Sequence, residues 1–426
     1  MIDITLIRND PELVRENIRR KFQDHKLPLV DEAAELDRLN REAIGQADML
    51  RSQRNVLSKQ IGGLLAKGKK EEAEAMKAQV AGIASQLLAL EAREVEYAEK
   101  IRAVMMQIPQ IVDPAVPLGR DDSENVEMER FGEPAVPPFE IPYHVDIMER
   151  LSGIDLDSAR KTSGNGFYYL KGDVARLHSA ILSYARDFMI DRGFTYYIPP
   201  FMIRSEVVTG VMSFSEMENM MYKIEGEDLY LIGTSEHSMI GKFIDTILKE
   251  EDLPQALTSY SPCFRKEVGA HGIEERGVYR IHQFEKQEMV VLCKPEDSMM
   301  WYEKMWGNTV AFFRTLDIPV RTLACCTGDL ADLKVISCDV EAWSPRQGKY
   351  FEVGSCSNLG DAQARRLQIR VKGEGGRKYF PHTLNNTVVA PPRMLIAYLE
   401  NNLQSDGSVR IPKALRLYMG GKAVIG

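Results

Sequence analysis

The residues best suited to chemistry lie in one polar stretch between Cys263 and Glu288. Arg265 and Glu267 stand two residues apart, so on a strand their side chains would share one face. The Arg265 guanidinium could grip a phosphate there, and Glu267 could accept hydrogen bonds from an amino group. Phe284 could offer a flat surface to a base. An Arg-x-Glu pair alone is more typical of an exposed ion pair. The prediction of a nucleotide site therefore depends on the whole polar stretch and not on this pair.

The common short motifs for phosphate or catalytic metal are absent from the sequence. It contains no G-x-x-x-x-G-K-[ST] loop, no G-x-G-x-x-G turn and no H-E-x-x-H helix. If a nucleotide binds, side chains such as Arg265 must therefore replace the backbone cradle of those motifs.

Upstream of this stretch, residues 31–106 have few turn formers and a strong helical periodicity, interrupted at Gly62, Gly63 and Gly68. After the interruption, apolar residues recur at three-four spacing, which predicts a seam on one helix face: Met76, Val80, Ile83, Leu87, Leu90, Tyr97, Ile101 and Val104. Before it, apolar residues fall seven apart: Leu36, Ala43, Leu50, Leu57 and Leu64. The two seams predict an antiparallel coiled-coil hairpin, roughly 45 to 60 Å long at 1.5 Å per residue.

Basic residues gather in the distal half of this predicted arm, in a stretch before the turn that has no Asp or Glu: Arg51, Arg54, Lys59, Lys67, Lys69 and Lys70. Lys and Arg in such an arrangement suit contact with a nucleic-acid backbone, because they release its condensed counterions. A solvated helical face or a dimerisation surface would show the same charges. Charge alone leaves these alternatives equally open.

The chain changes character after residue 106. Residues 107–138 are rich in Pro, Asp and Gly and predict a linker. Beyond them, residues 367–372 alternate as a half-buried strand should, and residues 350–353 predict a strand ending in a Gly-Ser-Cys-Ser turn. Helical patterns lie at 174–192, 296–315 and 394–402. This mixture indicates an α+β domain at 139–426, preceded by a linker at 111–138 and an N-terminal domain at 1–110.

Composition limits the classes of protein further. With 44% hydrophobic and 27% charged residues and no long apolar run, the sequence predicts a cytoplasmic protein without a membrane span or secretory signal. The six cysteines form no C-x-x-C pair, which favours buried reduced thiols over disulfides or zinc. A net charge of −8 argues only weakly against a nucleic-acid partner, since local patches matter more than the sum.

Four segments of the chain resemble the signature motifs of the seryl-tRNA synthetases, a family of class II aminoacyl-tRNA synthetases. Residues 264–288 resemble motif 2, with a Gly-rich charged loop between Glu267 and Arg276. Residues 194–200 resemble motif 1, a strand entering a proline at the dimer interface. Residues 352–358 resemble the site for ATP and Mg²⁺, and residues 383–393 resemble motif 3. The resemblance covers nearly the whole chain, including the N-terminal arm.

The resemblance implies a fold, an activity and partners. The fold would be a tRNA-binding helical arm followed by a catalytic domain built on an antiparallel sheet flanked by helices. The enzyme would activate L-serine with ATP and Mg²⁺ and transfer it to the 3′ end of tRNA(Ser), as a homodimer. Whether tRNA(Sec) is also a substrate is left open.

The family's site residues carry over position by position. The resemblance implies that Arg265 and Arg393 are catalytic and that Glu352 and Ser355 hold Mg²⁺. The implied ATP site comprises Arg265, Lys266, Glu267, Ile281, Phe284, Glu352, Val353, Gly354, Ser355 and Arg393. The implied serine site comprises Thr234, Glu236, Arg265, Glu288, Asn385 and Thr387. The six basic residues of the arm are the expected contacts with tRNA.

The sequence departs from the family pattern at three places. Pro391 and Pro392 replace the glycines that commonly precede the arginine of motif 3. Gly354 and Thr387 each stand where a serine is common, although Thr387 keeps the hydroxyl. Such changes also fit a specialised serine-activating paralog that serves a carrier protein or a biosynthetic pathway. The arm favours a tRNA substrate, because truncated relatives of that kind lack it. A third alternative is a coiled-coil interaction protein with an inactive catalytic domain.

Overall fold

The computed structural model describes residues 1–267 and 277–426, which form two compact units. Ile2–Pro109 is one unit, and Gln110–Gly426 together with Met1 is the other. The Gly-rich loop predicted between Glu267 and Arg276, and Arg276 itself, lie outside the described residues.

The helical unit is dominated by two long helices. Its helices are α1 (Ile4–Asn9), α2 (Pro11–Arg20), α3 (Leu27–Ala66) and α4 (Lys70–Met105). The 40 residues of α3 span about 60 Å at 1.5 Å per residue. The predicted helical hairpin is therefore confirmed. Gly62 and Gly63, however, do not interrupt it: they lie inside α3, and the turn falls at Gly68, whose φ is +74°.

The two long helices pack along the predicted seam. Its members Ala43, Ile83, Leu87 and Leu90 are buried, and Leu50, Leu57 and Tyr97 are half-buried against them. Ala47, which the predicted spacing did not include, is buried in the same cluster. Glycine inside a helix costs only about 1 kcal/mol relative to alanine. Packing along the seam outweighs that cost, which explains why the glycine pair does not end α3.

An eight-stranded sheet forms the centre of the second unit in the part of the chain described. The strands of this unit are β1 (Val126–Phe131), β2 (Ile154–Asp155), β3 (Tyr169–Leu170), β4 (Thr195–Tyr197), β5 (Met202–Ile203), β6 (Tyr230–Leu231), β7 (Ile247–Lys249), β8 (Gln255–Phe264), β9 (Gln283–Cys293), β10 (Val320–Ala324), β11 (Ile336–Ser344), β12 (Lys349–Asn358), β13 (Arg370–Lys372), β14 (Lys378–Tyr379), β15 (His382–Val389), β16 (Val409–Arg410) and β17 (Val424–Ile425). The order in the large sheet is β1-β10-β11-β12-β15-β9-β8-β4. Its neighbours are antiparallel except β4 and β8. The predicted antiparallel sheet is confirmed.

Helices cover this sheet. They are α5 (His144–Arg150), α6 (Leu156–Ser163), α7 (Gly172–Ile190), α8 (Ser205–Val211), α9 (Phe214–Met220), α10 (Ser235–Gly241), α11 (Ser298–Thr315), α12 (Ala362–Arg366), α13 (Pro391–Asn402) and α14 (Lys413–Arg416). One core contains residues of α7, α11 and α13, and a smaller core contains residues of α10 and α12. The C-terminal half of β9 contributes to both, so Met289 to Cys293 is wholly buried. The N-terminal half of β9 contributes to neither hydrophobic core and carries mostly polar side chains.

Three local predictions differ from the structure. The predicted linker 111–138 contains β1, which pairs with β10, and it also contains the buried Val112 and Val116. The strand signal of β1 is weak because most of its side chains are exposed at a sheet edge. Residues 354–357 are no turn: β12 runs through them, paired with β11. The strand predicted at 367–372 begins only at Arg370.

The six cysteines are buried and unbonded to one another, in agreement with the prediction of reduced thiols. In residues 1–267 and 277–426 no helix combines the length and apolar character needed to cross a membrane.

Candidate active site

A cavity of about 350 Å³ at one end of the central strands brings most of the predicted site residues together. Its lining includes Thr234, Glu236, Arg265, Glu267, Ile281, Phe284, Glu288, Glu352, Val353, Gly354, Ser355, Asn385, Thr387 and Arg393. These residues come from segments up to about 160 positions apart in sequence, and strands β9, β12 and β15 align them side by side. Lys266 does not line the cavity; its amine donates to the Glu218 carbonyl oxygen at 3.2 Å.

Arg265 and Glu267 lie just beyond the end of β8, not on a strand as predicted. The chain turns at Glu267, whose φ is +48°, so the two-residue alternation of a strand does not apply. Arg265 is held by its Nε, which donates to the Gly233 carbonyl oxygen at 3.2 Å. Among the described residues, the Arg265 guanidinium forms no ion pair, whereas Glu267 Oε2 lies 3.7 Å from Arg280 Nη1. The side chains of Arg265 and Glu267 both line the cavity. The guanidinium is therefore available to an anion.

An aromatic surface lies beside Arg265. The guanidinium carbon is 5.2 Å from the centroid of the Phe284 ring, and Ile281 lines the cavity close by in sequence. A flat aromatic ring provides a platform on which a purine base can stack. A cation next to that ring can neutralise a phosphate of the same nucleotide. This end of the cavity therefore suits an adenine nucleotide.

Buried polar groups form another part of the lining, around Thr234, Glu236 and Glu288. Thr234 is at the N-cap position of α10 without a side-chain capping bond, and Glu236 accepts a hydrogen bond from the Gln363 amide at 2.7 Å. Glu288 forms an ion pair with Lys286, two residues earlier on β9. Among the described residues, Thr234 Oγ1 is buried without a hydrogen-bond partner, whereas Glu288 Oε2 lies against the Lys286 ammonium. A buried hydroxyl without a partner is costly unless a ligand completes its bonding, so this region suits a polar molecule.

The environment of Glu236 leads to a pH prediction. Burial and, next, the nearby Glu288 raise the pKa of Glu236 to about 7. The pKa of Glu236 is therefore higher in the folded than in the unfolded protein. Its contribution to the free energy of unfolding is fully present below about pH 4.5 and is lost as pH rises through 7. A shift of about 2.5 units corresponds to roughly 3 kcal/mol. We expect Glu236→Gln to gain about that much unfolding free energy relative to the parent between pH 4.5 and pH 8, measured by urea titration.

Glu149→Gln is the matched control, because Glu149 is exposed in the same unit. Its unfolding free energy is measured by the same urea titrations. A Glu236→Gln variant whose gain over the parent between pH 4.5 and pH 8 is no larger than that of Glu149→Gln would contradict the raised pKa of Glu236.

Arg393 and Glu352 face each other at the edge of the cavity. Arg393 Nη1 lies 2.8 Å from Glu352 Oε2, and its guanidinium carbon is 4.9 Å from the Tyr279 ring centroid. Burial raises the pKa of Glu352, but Arg393 outweighs it and the net pKa is lowered. The glutamate therefore stays ionised. A cation and an anion at this position suit a phosphate and a divalent metal bound to it.

The unusual prolines before Arg393 fit the helix that carries it. Pro391 and Pro392 are the first two residues of α13. The amide hydrogens at these positions have no partner inside a helix, so replacing them with proline removes no helical hydrogen bond. The prolines therefore preorganise the helix start that presents Arg393.

The other two departures lie close together. A Cβ at position 354 would lie 3.3 Å from Thr387 Cβ and 3.4 Å from the Thr387 carbonyl oxygen. A serine at 354 would thus crowd residue 387 whether that residue is serine or threonine. The extra methyl group of Thr387, at 3.7 Å, would be in ordinary van der Waals contact.

Sequence reasoning missed several groups that the structure places at the site. His237, Tyr279, Lys286 and Lys334 also line the cavity. Asp339 pairs with Ser355 in the register of β11 and β12 and accepts its hydrogen bond. Burial and, next, Glu352 raise the pKa of Asp339 to about 6. The alternation of polar and apolar residues along β11 could have predicted that Asp339 lies on a polar face of the strand. Only the pairing of β11 with β12 shows that Asp339 contacts Ser355.

The basic residues of the arm are not all equally available. Arg51 forms ion pairs with Asp48 at 2.8 Å and with Glu91 at 3.0 Å, and Lys69 pairs with Glu72 at 2.7 Å. In the described part of the chain no ion pair is found for Arg54, Lys59, Lys67 or Lys70. These four residues are the better candidates for contact with an anionic partner.

Comparison with known families defines the class of protein first. Residues 220–402 match the tRNA synthetase class II core domain (G, H, P, S and T). The matched range begins at the end of α9 and contains every predicted ATP and serine residue. The fold and the cavity are therefore those of a class II aminoacyl-tRNA synthetase.

The particular family follows from the whole chain. Residues 1–112 match the seryl-tRNA synthetase N-terminal domain. The serine–tRNA ligase of Methanospirillum hungatei is 42% identical over 99% of both chains. The structure of seryl-tRNA synthetase from Pyrococcus horikoshii complexed with ATP superposes with a TM-score of 0.94 at 38% identity, covering 100% of this chain and 99% of that one. The cytoplasmic serine–tRNA ligase of Naegleria fowleri, in complex with AMP, gives 0.89 at 33% identity, covering 100% and 98%. This chain belongs to the seryl-tRNA synthetase family.

Proposed function

We propose that this protein is a serine–tRNA ligase: it joins L-serine and ATP into seryl-adenylate and then transfers the seryl group to the 3′ end of tRNA(Ser). The observation that carries the proposal is that one cavity unites Arg265, the polar region around Thr234 and Glu288, and the Arg393–Glu352 pair. The full-length similarity to serine–tRNA ligases, helical unit included, supports the same activity. Nothing in the comparisons supports a specialised paralog.

The first step needs positioning more than acid–base chemistry. The serine carboxylate oxygen attacks the α-phosphorus of ATP, the bond to the bridging oxygen breaks, and pyrophosphate leaves with the electron pair. A carboxylate is already a competent nucleophile, so no side chain has to remove a proton. Arg265 neutralises the charge that develops on the α-phosphate, and Arg393 binds the departing phosphates.

The second step uses the adenylate as an activated acyl group. A terminal ribose hydroxyl of the tRNA attacks the carbonyl carbon, and AMP leaves as the acyl–phosphate bond breaks. The long α3–α4 hairpin supplies the tRNA contact, with Arg54, Lys59, Lys67 and Lys70 as candidates that no ion pair engages in the described residues. Their charge supports binding through the phosphate backbone.

Mg²⁺ is proposed as the metal of the first step. Glu352 and Ser355 offer oxygen atoms, the ligand type that Mg²⁺ prefers, and Asp339 adds a third oxygen donor bonded to Ser355. The metal would neutralise phosphate charge. We further infer that the protein is a homodimer whose interface includes β4 and the prolines that follow it. We also infer that it acts in the cytoplasm. tRNA(Sec) is a second substrate to be tested.

The direct test is aminoacylation with labelled serine. We expect purified tRNA(Ser) to be charged with serine in the presence of ATP and Mg²⁺. tRNA(Sec) is assayed under the same conditions. The family resemblance implies that the hairpin contacts the long variable arm of tRNA(Ser), so a tRNA(Ser) transcript without that arm is the matched control. Serine-dependent pyrophosphate exchange without any charging of tRNA would favour the paralog instead.

Discrimination against threonine should be limited. Threonine keeps the hydroxyl and adds one methyl group, and one methyl group is worth only about 1 to 3 kcal/mol in such a pocket. We expect threonine-dependent pyrophosphate exchange to be detectable, at roughly one-fifth to one-hundred-fiftieth of the serine rate constant kcat/KM. A threonine signal well below about one-thousandth of the serine signal would contradict this expectation.

A further inference from the structure

His282 lies immediately before β9, beside residues expected to bind ATP, and the mechanism above assigns it no task. It follows Ile281 directly and stands two residues before Phe284. Its side chain is half-buried and, in the described part of the chain, does not belong to the cavity lining. Any effect of His282 on the reaction must therefore pass through the residues that it contacts.

The pairing of β8 with β9 ends at this point. Phe264, the last residue of β8, lies opposite Gln283, so Arg265 comes opposite His282. At a hydrogen-bonded position of an antiparallel pair, the two opposed residues normally exchange two bonds between their backbones. Between these two described residues only one is formed, from the Arg265 amide to the His282 carbonyl oxygen at 2.9 Å. The His282 amide donates instead to the Gly166 carbonyl oxygen, also at 2.9 Å.

The imidazole of His282 replaces the missing backbone bond. Its Nδ1 lies 3.0 Å from the Arg265 carbonyl oxygen. A carbonyl oxygen can only accept, and two acceptors at this distance would repel each other, so the proton of this bond is on Nδ1. The Tyr222 hydroxyl oxygen, 3.3 Å from the same nitrogen, can accept that proton as well. The backbone amide and the backbone carbonyl of Arg265 are therefore both bonded to His282.

The segment between α6 and β3 holds the imidazole in this position. Gly166 has a φ of +79°, and a Cβ at this residue would lie only 2.5 Å from His282 Cδ2. Glycine therefore leaves room for the ring and adopts the backbone conformation without strain. The Phe167 ring packs against the imidazole with 5.4 Å between the ring centroids. These contacts restrict the orientation of the His282 side chain.

We propose that His282 is a positioning residue for Arg265, because its imidazole fixes the peptide from which the guanidinium reaches the α-phosphate. The proposal rests on the role of Arg265 in the serine activation proposed above. The Gly233 carbonyl oxygen holds the far end of the arginine side chain through Nε, at 3.2 Å, and His282 holds the near end. Two anchors are needed because β8 has already ended and the chain turns away at Glu267, whose φ is +48°.

The competing explanation is that the imidazole only fills space beside Phe167 or orients Ile281 and Phe284 for the adenine. In either case, loss of the ring would lower activity whether or not Arg265 is present. A role that acts through Arg265 makes a different prediction, because two residues that act through one contact do not have additive effects. The loss should then disappear once Arg265 has been removed.

A double-mutant cycle in serine-dependent pyrophosphate exchange by the full-length protein separates these explanations. We expect His282→Ala to lower kcat/KM about 10- to 100-fold, because a misplacement of about 1 Å can cost 10²-fold. In the Arg265→Ala background the same substitution should cost less than about threefold. A larger loss in that background would overturn the proposal, and so would a His282→Ala enzyme within about threefold of the parent.

Conservative variants test the hydrogen bond itself. Asparagine can place an amide N–H near the position of Nδ1, whereas glutamine reaches the position of Nε2. His282→Asn should therefore recover most of the lost kcat/KM, and His282→Gln should not. This comparison also decides the matter if His282→Ala is too unstable to assay, since both variants keep a polar side chain of similar size. Equal activity of the two variants would overturn the proposal.

His382 provides the matched control. Its Nδ1 also forms a side-chain hydrogen bond, to Ser298 Oγ at 3.0 Å, and it lies outside the cavity lining in the described residues. His382→Ala should leave kcat/KM within about threefold of the parent. A loss as large as that of His282→Ala would show a general effect of removing such a bond and would overturn the proposal. Absence of serine activation in the parent protein would instead refute the proposed function.

Discussion

Replacing Arg265 with alanine is expected to lower serine-dependent pyrophosphate exchange about 10²- to 10³-fold, the usual cost of removing one preorganised group that stabilises transition-state charge. The guanidinium lies beside Phe284, is anchored to the Gly233 carbonyl oxygen, and is engaged by no ion pair among the described residues. Arg393 is held by Glu352 and lines the cavity elsewhere, so it cannot take over the same phosphate. The measurement is kcat/KM for exchange at saturating ATP.

Two controls make the Arg265 result specific. Arg160→Ala removes an exposed arginine of the same unit that pairs with Asp157 and donates to Asn165 Oδ1, outside the cavity, and it should leave the exchange rate unchanged. Arg265→Lys keeps the charge but loses the bidentate geometry, and it should fall between alanine and the parent. An Arg265→Ala enzyme within about threefold of the parent would show that the α-phosphate is neutralised by another group.

Removing the helical unit should separate the two half-reactions. A chain in which Met1 is followed directly by Gln110 keeps the compact unit that contains the whole sheet and every residue of the cavity. We expect it to retain pyrophosphate exchange within about threefold. Aminoacylation of tRNA(Ser) should fall at least about 10³-fold, since neutralising several phosphates supplies a large part of nucleic-acid affinity. Both activities are measured on the same preparation.

Point substitutions test the same idea in the intact protein. Changing Arg54, Lys59, Lys67 and Lys70 together to glutamine should weaken tRNA binding and flatten its dependence on salt concentration, by close to one unit of slope per lost phosphate contact. Lys77 and Lys100 are matched controls on the same hairpin, because each already pairs with a glutamate, at 2.6 Å in both cases. Equal losses in both sets would mean that these side chains act through the general charge of the arm and not at a defined surface.

Local patterns predicted the elements whose formation depends on near neighbours in sequence. The three-four spacing after Gly68 gave the seam of α4, and the heptad from Leu36 to Leu64 gave that of α3. Helices α7, α11 and α13 were also predicted within a few residues of their observed bounds. Such patterns predict helices because the buried face of an amphipathic helix is formed by apolar residues that recur every three or four positions in the sequence.

Predictions failed where a residue's role depends on a distant partner. Gly62 and Gly63 look like breakers, yet packing between α3 and α4 carries the helix through them. Strand β1 has mostly exposed side chains and is defined by its pairing with β10, nearly two hundred residues away. The Gly-Ser-Cys-Ser segment looks like a turn, but pairing with β11 keeps it extended.

For the site, residue types and motif resemblance were enough to name Arg265, Thr234, Glu288 and their companions and the chemistry they suit. Folding added relations that no local window contains: the Arg393–Glu352 ion pair and the contact of Asp339 with Ser355. The physical reason is that side-chain identity sets which hydrogen bonds and charges are possible. Whether a group is buried, paired or left open for a ligand depends on strands that meet only when the sheet has formed.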